Sequence, residues 1–553
     1  MNILPIKKIA KNYGILDEEL ELYGDYKAKV KLDILKRISS KKKGKYIVVS
    51  AITPTHFGEG KTTTTIGLSL ALNSLGKKSF CCIRQPSLGP LFGIKGASSG
   101  GKAKVLPQED FNIHLTGDFY AVSIAHNLCM SFLMNAIYRN QVEVDKESIL
   151  WRYVFDVSDR FLRNISIGND IKDNEFFPLN TGFDISAASE IMSILSFSLS
   201  LSDLKERLKK IVLGFSKNKR PITAEDIKVV GVMLAVLKNA IKPNLLQTSE
   251  NTPVFVHTGP FGNISHGNSS IIADLISMYL SDYVITESGF GVDCGLEKFI
   301  NIKCRYSGLI PDCVVLVCTV RALKIHSGKI DIVCGKPLPE ELAKENLKLL
   351  EEGLCNLEKQ IENVLLHGLP VVVAINKFST DTDKELVFIQ KRAKEFGAED
   401  TVISEVWQEG AKGAVNLAKA VIKVANKPNN FKFLYPLEMS IREKIYTIAT
   451  KIYGAENVEY SSLAEEKIKL YTQLGWDKLP ICMAKTHLSL SHNPSLKGRP
   501  KNFVLPIRDI FPSIGAGFVY PLCGDMMRMP GLPSLPVGTK VDVDKNGEII
   551  GLF

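Results

Sequence analysis

Short apolar runs rich in β-branched residues alternate along this chain with longer stretches of helical periodicity, and few folds accommodate that order. The runs occupy residues 46–51, 253–257, 283–286, 313–319 and 370–375. They lack polar alternation, so both faces of each strand must be covered, as in a parallel sheet flanked by helices. Helical stretches such as 204–212, 224–240, 340–366 and 382–396 supply the crossovers. The class that follows is α/β. Single cores stop growing at roughly 250–300 residues, so 553 residues call for several domains. The expected division is 1–360, with a mostly parallel sheet, then two smaller α/β domains at 361–455 and 456–553. Turn formers at 426–430, including Pro428, make the best linker.

One run leads into a loop of defined chemistry. Tyr46-Ile47-Val48-Val49-Ser50-Ala51 is followed by Thr53-Pro54-Thr55-His56-Phe57-Gly58-Glu59-Gly60-Lys61-Thr62 and then by a helical pattern ending at Gly76. This is the strand–loop–helix order of a P-loop. Its glycines let backbone N–H groups face phosphate oxygens, and the helix directs its positive end at the same anion. Thr55, Gly58, Glu59, Gly60, Lys61, Thr62 and Thr63 are the candidate nucleotide-binding residues. Lys61 would reach the β- and γ-phosphates, and the Thr62 hydroxyl would meet Mg²⁺. Thr55 stands where the first P-loop glycine is expected.

A net charge of +10 suits anionic ligands such as nucleotides. It does not point to nucleic acid, because the densest run, Lys41-Lys42-Lys43-Gly44-Lys45, is short and lacks interleaved aromatics. Eleven cysteines without a C-x-x-C pair read as a reduced, cytoplasmic chain without a zinc site. No stretch of about 18 apolar residues stands out, so no membrane span is expected.

Further blocks follow the loop: Arg84-Gln85-Pro86-Ser87-Leu88-Gly89-Pro90, Phe92-Gly93-Ile94-Lys95-Gly96 and Thr116-Gly117-Asp118-Phe119. Later come Gly182-Phe183-Asp184-Ile185, His266-Gly267-Asn268-Ser269-Ser270, Gly289-Phe290-Gly291-Val292-Asp293, Thr319-Val320-Arg321-Ala322-Leu323-Lys324, Thr380-Asp381-Thr382, Met529-Pro530-Gly531-Leu532-Pro533 and Gly551-Leu552-Phe553. Together these strings resemble the formate–tetrahydrofolate ligases, from about residue 10 to the end.

The resemblance implies two steps: formate attacks the γ-phosphate of MgATP to give formyl phosphate, and N10 of tetrahydrofolate then takes the formyl group. It implies MgATP as substrate with Mg²⁺, formate and tetrahydrofolate (polyglutamylated or not) as partners, and a homotetramer; it leaves a monovalent cation requirement open. Both steps rest on positioning and charge stabilisation. Lys61 and Arg84 are the catalytic candidates. Arg84, with Gln85, would hold formyl phosphate, since a guanidinium grips such oxygens bidentately. Phe378, after a sheet strand, and Trp407 would sandwich the pterin, with Asp118 as a further folate candidate. Thr62 is the metal candidate.

Other residues stay open. His114 and His126 are general bases or hydrogen-bonded core histidines, and Asp118 orients a substrate or caps a helix. Glu287 and Asp293 reach Mg²⁺ through water or serve structure. The chain also departs from the family pattern: Gln85 stands for Glu, His56-Phe57 for Pro-Ala, and Tyr120 for His. These changes leave room for an alternative, a family-fold protein that binds folate or nucleotide with weak or no turnover.

Overall fold

The computed structural model describes residues 3–92, 100–169, 178–330, 332, 338–524 and 526–551. Residues 93–96 of the Phe92 block and the final Leu552-Phe553 lie outside these.

The apolar runs form one large sheet. Its strands are β1 (Leu20–Leu22), β2 (Ala28–Val30), β3 (Lys45–Ala51), β4 (Ser79–Ile83), β5 (Val105–Leu106), β6 (Asn244–Thr248), β7 (Pro253–Val256), β8 (Tyr283–Glu287), β9 (Cys313–Cys318), β10 (Val371–Asn376) and β11 (Asp400–Ser404). The spatial order is β1-β2-β6-β7-β4-β8-β3-β9-β10-β11, with β5 attached to β6. From β7 to β11 every pairing is parallel. β1, β2 and β6 add an antiparallel margin.

The missing polar alternation has the expected cause: every residue of β4, β8, β9 and β10 is buried. Strand periodicity then divides the residues between two cores. Tyr46 and Val48 join one face with helices α3 (Ile271–Leu280) and α5 (Leu347–Leu365). Ile47, Val49 and Ala51 join the other with α1 (Lys61–Ser74) and α6 (Val415–Ala425). A third core surrounds α2 (Asp118–Tyr138) and the helices Glu190–Phe197, Leu201–Lys209 and Val230–Leu237.

The sheet runs past the division expected at residue 360. That position falls within α5, and the next strand, β10, pairs with β9 from Val314↔Val371 to Cys318↔Ile375. A further core joins Tyr435, Ile441, Ile445 and Tyr453 to Val458, Tyr471 and Leu505, on both sides of residue 455, and takes in Val212 and Phe215 as well.

One helix is more apolar than the sequence discloses. α2 has 21 residues and is long and apolar enough to cross a membrane. Its mixture of Ser, Asn, His and Cys with apolar residues hides this from a search for an unbroken run. Its Val122, Ala125, Cys129, Met130, Leu133 and Ala136 pack into the third core, and its first residue, Asp118, is in a buried ion pair with Lys29.

Candidate active site

Arg84, Glu287, Thr319, Phe378 and Trp407 all lie at or just beyond the carboxyl ends of β4, β8, β9, β10 and β11. These strands run parallel to β3, so the loop at 52–60 opens on the same sheet edge, where open α/β sheets bind ligands. The loop is shaped by Gly58 (φ +73°) and Gly60 (φ +80°), conformations that cost a residue with Cβ. A Cβ on Gly60 would also lie 2.4 Å from Asn376 Nδ2.

Glu59 fastens the loop rather than facing outward. Its Oε1 accepts from Thr55 N and Oγ1, both at 2.9 Å, and its Oε2 accepts from Thr319 Oγ1 at 2.8 Å. Thr53 is gripped at every polar atom. Its N–H donates to Asn356 Oδ1 (3.1 Å), its Oγ1 accepts from Asn356 and Gln360 (both 2.9 Å), and its carbonyl accepts from His326 Nε2 (2.7 Å). The same two side chains hold Gly498: His326 Nδ1 accepts its N–H (3.3 Å) and Asn356 Nδ2 donates to its carbonyl (2.8 Å). Gln360 extends this network to Asp293 (2.8 Å), whose other oxygen pairs with the buried Lys485 (2.7 Å). Each oxygen of Asp293 thus has a protein partner.

Lys61, Thr62 and Thr63 form the first turn of α1. Desolvation lowers the Lys61 pKa; Glu287 and Glu59 oppose that shift and Arg84 adds to it. Thr62 Oγ1 donates to Glu287 Oε2 at 2.7 Å, and Arg84 Nε lies 4.0 Å from Glu287 Oε1. Glu287 therefore bridges the phosphate loop and Arg84. Hydroxyl and carboxylate oxygens suit a hard cation that keeps waters and shares substrate phosphates, which fits Mg²⁺. Among the described residues no cluster of three or more His, Cys, Asp or Glu side chains could hold a metal alone.

Around Arg84 several buried polar atoms lack a hydrogen-bond partner: Arg84 Nε, Gln85 Oε1, Thr258 Oγ1, Ser288 Oγ and both polar atoms of Asn268. They are neighbours, since Gln85 N donates to Thr258 O (2.8 Å), Gly289 N donates to Gly267 O (3.0 Å), and Asn268 bridges Ser288. A Cβ on Gly289 would approach both Arg84 terminal nitrogens to 3.5 Å. Unsatisfied polar groups are costly in a finished core, so their concentration here makes this a candidate ligand site.

Phe378 and Trp407 follow adjacent parallel strands that end at the pair Asn376↔Ser404. Arg321 lies over the Phe378 ring, its guanidinium carbon 4.0 Å from the centroid. Trp407 is 57% exposed and borders Gly100 and Gly101. The Asp118 carboxylate accepts from Lys29 (2.8 and 3.0 Å) and Asn244 (2.7 Å). His126 is a buried core histidine, bonded to Ser189 and the Arg152 carbonyl, while His114 is exposed. Sequence reasoning assigned no role to Thr319, Arg321 or Asn376, although the first two stand in one of the quoted blocks.

A family described as formate–tetrahydrofolate ligase matches the chain over residues 1–553. The chain belongs to the formate–tetrahydrofolate ligase family. It is 50% identical to the formate–tetrahydrofolate ligase of Desulforamulus reducens over 100% of this chain and 97% of that protein. It is 51% identical to the ligase of Roseiflexus castenholzii over 99% and 97%, respectively. The human C-1-tetrahydrofolate synthase, cytoplasmic, is 48% identical over 99% of this chain and 65% of that protein. The structure places the residues at which the sequence departs from the expected family pattern as follows. Gln85 is buried beside Arg84; Phe57 lies 5.7 Å from the Arg321 guanidinium; His56 has its pKa lowered by desolvation and by Lys497; and Tyr120 is 66% exposed on α2.

Proposed function

We propose that this chain joins formate to tetrahydrofolate at the expense of ATP, giving 10-formyltetrahydrofolate, ADP and phosphate through formyl phosphate. The observation that carries the reading is the convergence of Lys61, Thr62 and Arg84 on Glu287, next to unpartnered polar atoms. Lys61, the loop from Thr55 to Gly60 and the first turn of α1 hold the ATP phosphates. Thr62 and Glu287 would hold Mg²⁺, which would neutralise charge on the phosphates. Lys61 stabilises the charge that moves to the leaving oxygen as formate attacks in line. Arg84 and Gln85 keep formyl phosphate in place, and Arg84 receives the charge gathering on the carbonyl and phosphate oxygens as N10 attacks. Phe378 and Trp407 clamp the pterin, each through a ring face.

Asp118 is a weaker folate candidate in this reading, because both its oxygens already serve Lys29 and Asn244. Membership of a ligase family disfavours the binding-only alternative. The test is an assay of the full chain with MgATP, formate and tetrahydrofolate, omitting each in turn. Product that requires all three and is lost in Lys61→Ala supports the proposal; product no greater than in that variant refutes it. Repeating the assay in potassium and in tetramethylammonium salts tests a monovalent cation requirement. Comparing mono- with polyglutamylated tetrahydrofolate tests the tail.

A homotetramer belongs to the same proposal. On α2, Tyr120, Ile124, Leu128 and Phe132 follow one another at four-residue spacing along a face without charge; Tyr120 and Phe132 are 66% and 40% exposed. Light scattering should give four times the 61.1 kDa chain mass, and Phe132→Glu should lower it. A cytoplasmic location rests on the human relative's name and on the cysteines: all ten among the described residues are free.

A further inference from the structure

The block Thr319-Val320-Arg321-Ala322-Leu323-Lys324 has no part in the chemistry above, yet its side chains reach both substrate loops. Thr319 caps helix α4 (Val320–His326), accepting from Ala322 N at 3.1 Å, while its hydroxyl donates to Glu59 of the phosphate loop. His326, at the other end, donates to Thr53 at the loop's start. Between them, Lys324 pairs with Glu385 at 2.7 Å, both fully buried. Glu385 is the carboxylate of the Thr382 capping box, which opens the helix Asp383–Glu395 directly after the Phe378 loop.

Arg321 joins the two loops most directly. Its guanidinium lies over Phe378 at 4.0 Å and within 5.7 Å of the Phe57 ring, and its terminal nitrogen reaches Gly58 O at 3.5 Å. Phe57 and Gly58 both belong to the phosphate loop. A planar cation can use both faces against aromatic rings, which an ammonium cannot. With Arg321 on one side of Phe378, a flat ligand would stack on the opposite face.

We propose that Arg321 is a positioning residue that couples the phosphate loop to the folate platform, with Phe57 as its outer ring. The two contacts that steady Arg321 from the nucleotide side exist only while residues 57 and 58 keep this conformation. A nucleotide that orders the loop therefore steadies Arg321 and, through it, Phe378, so tetrahydrofolate binds more tightly. Linkage requires tetrahydrofolate to tighten nucleotide binding by the same factor. The inference rests on the assignment of Phe378 to the folate ring.

The test is calorimetric titration of tetrahydrofolate into the full chain, with and without a non-hydrolysable MgATP analogue; the ratio of the two dissociation constants is the coupling factor. A factor of about five or more is expected for the unmodified chain. Phe57→Ala, at a 37% exposed loop residue, and Arg321→Lys, which keeps charge but loses the plane, should each reduce it below about twofold. Phe57→Tyr should retain it. A factor of one in the unmodified chain, or an unchanged factor in both Phe57→Ala and Arg321→Lys, overturns the coupling. Phe378→Ala separates the underlying reading: nucleotide-free tetrahydrofolate affinity that does not change refutes the folate assignment. Weaker affinity there, with coupling intact in both Phe57→Ala and Arg321→Lys, refutes only the inference.

Discussion

Replacing Gly58 and Gly60 separately by alanine distinguishes backbone strain from collision in the phosphate loop. Both glycines are left-handed, at φ +73° and +80°, and that conformation costs a residue with Cβ about 1–2 kcal/mol. At Gly58 an added Cβ meets no atom within 4 Å, so strain is the whole penalty. At Gly60 it falls 2.4 Å from Asn376 Nδ2, which itself donates to Glu59 O at 3.3 Å. Either Asn376 moves and gives up that bond, or the loop moves; overpacking of this kind adds about 1–3 kcal/mol. A strained loop abandons its binding geometry, and nucleotide must then restore it, so the penalty appears in affinity. For MgATP, Gly58→Ala should weaken binding roughly 5- to 30-fold, and Gly60→Ala roughly 30-fold to several thousandfold. Calorimetry on the purified variants measures both. In an Asn376→Ala background the collision is gone, and Gly60→Ala should cost about what Gly58→Ala costs. Equal losses in the two single variants, or a gap that survives Asn376→Ala, would refute the reasoning.

Thr62→Val removes the hydroxyl shared with Glu287 and should lower kcat/KM for MgATP by about 100-fold or more, the scale of one lost charge-stabilising contact, while thermal melting stays within a few degrees. Lys485→Met leaves Asp293 buried without its cation and should destabilise the chain by about 3–5 kcal/mol, read as a lower denaturation midpoint; adding Asp293→Asn should recover part of the loss. Burial pulls the pKa values of His126, His257 and His367 down to about 4 from 6.5. Between these values the unfolded chain binds more protons, so these groups make stability rise with pH from about 4 to 6.5 and lose their contribution as pH falls. His257→Gln should flatten the urea-midpoint profile in that window; an unchanged slope would refute the assignment.

What the sequence disclosed follows from what burial does to it. β3, β8, β9 and β10 are legible because both faces are covered and the residues are β-branched. β6 hides because its ends are polar for distant reasons: Asn244 serves Asp118, and Gln247 bonds both backbone groups of Leu4. A sheet that continues across residue 360 is invisible for a related cause, since strand pairing is chosen by crossovers and not by composition. At the site, the glycines, Lys61 and Arg84 carry their chemistry in local order. Glu59 reads as a ligand contact, but Thr319, 260 residues away, turns it inward. Asp118 meets its cation 89 residues back along the chain, and no spacing rule announces such a partner.

The clasp on Thr53 also sets an order of events in synthesis. His326 and Asn356 hold Thr53 and Gly498 together, and Lys485 neutralises Asp293 at the far end of the same network. The phosphate loop leaves the ribosome long before His326 and Asn356, and longer still before Lys485 and Gly498. A chain that has emerged only as far as residue 325 therefore carries the loop's full sequence without His326, Asn356 and Gln360, the side chains that hold Thr53.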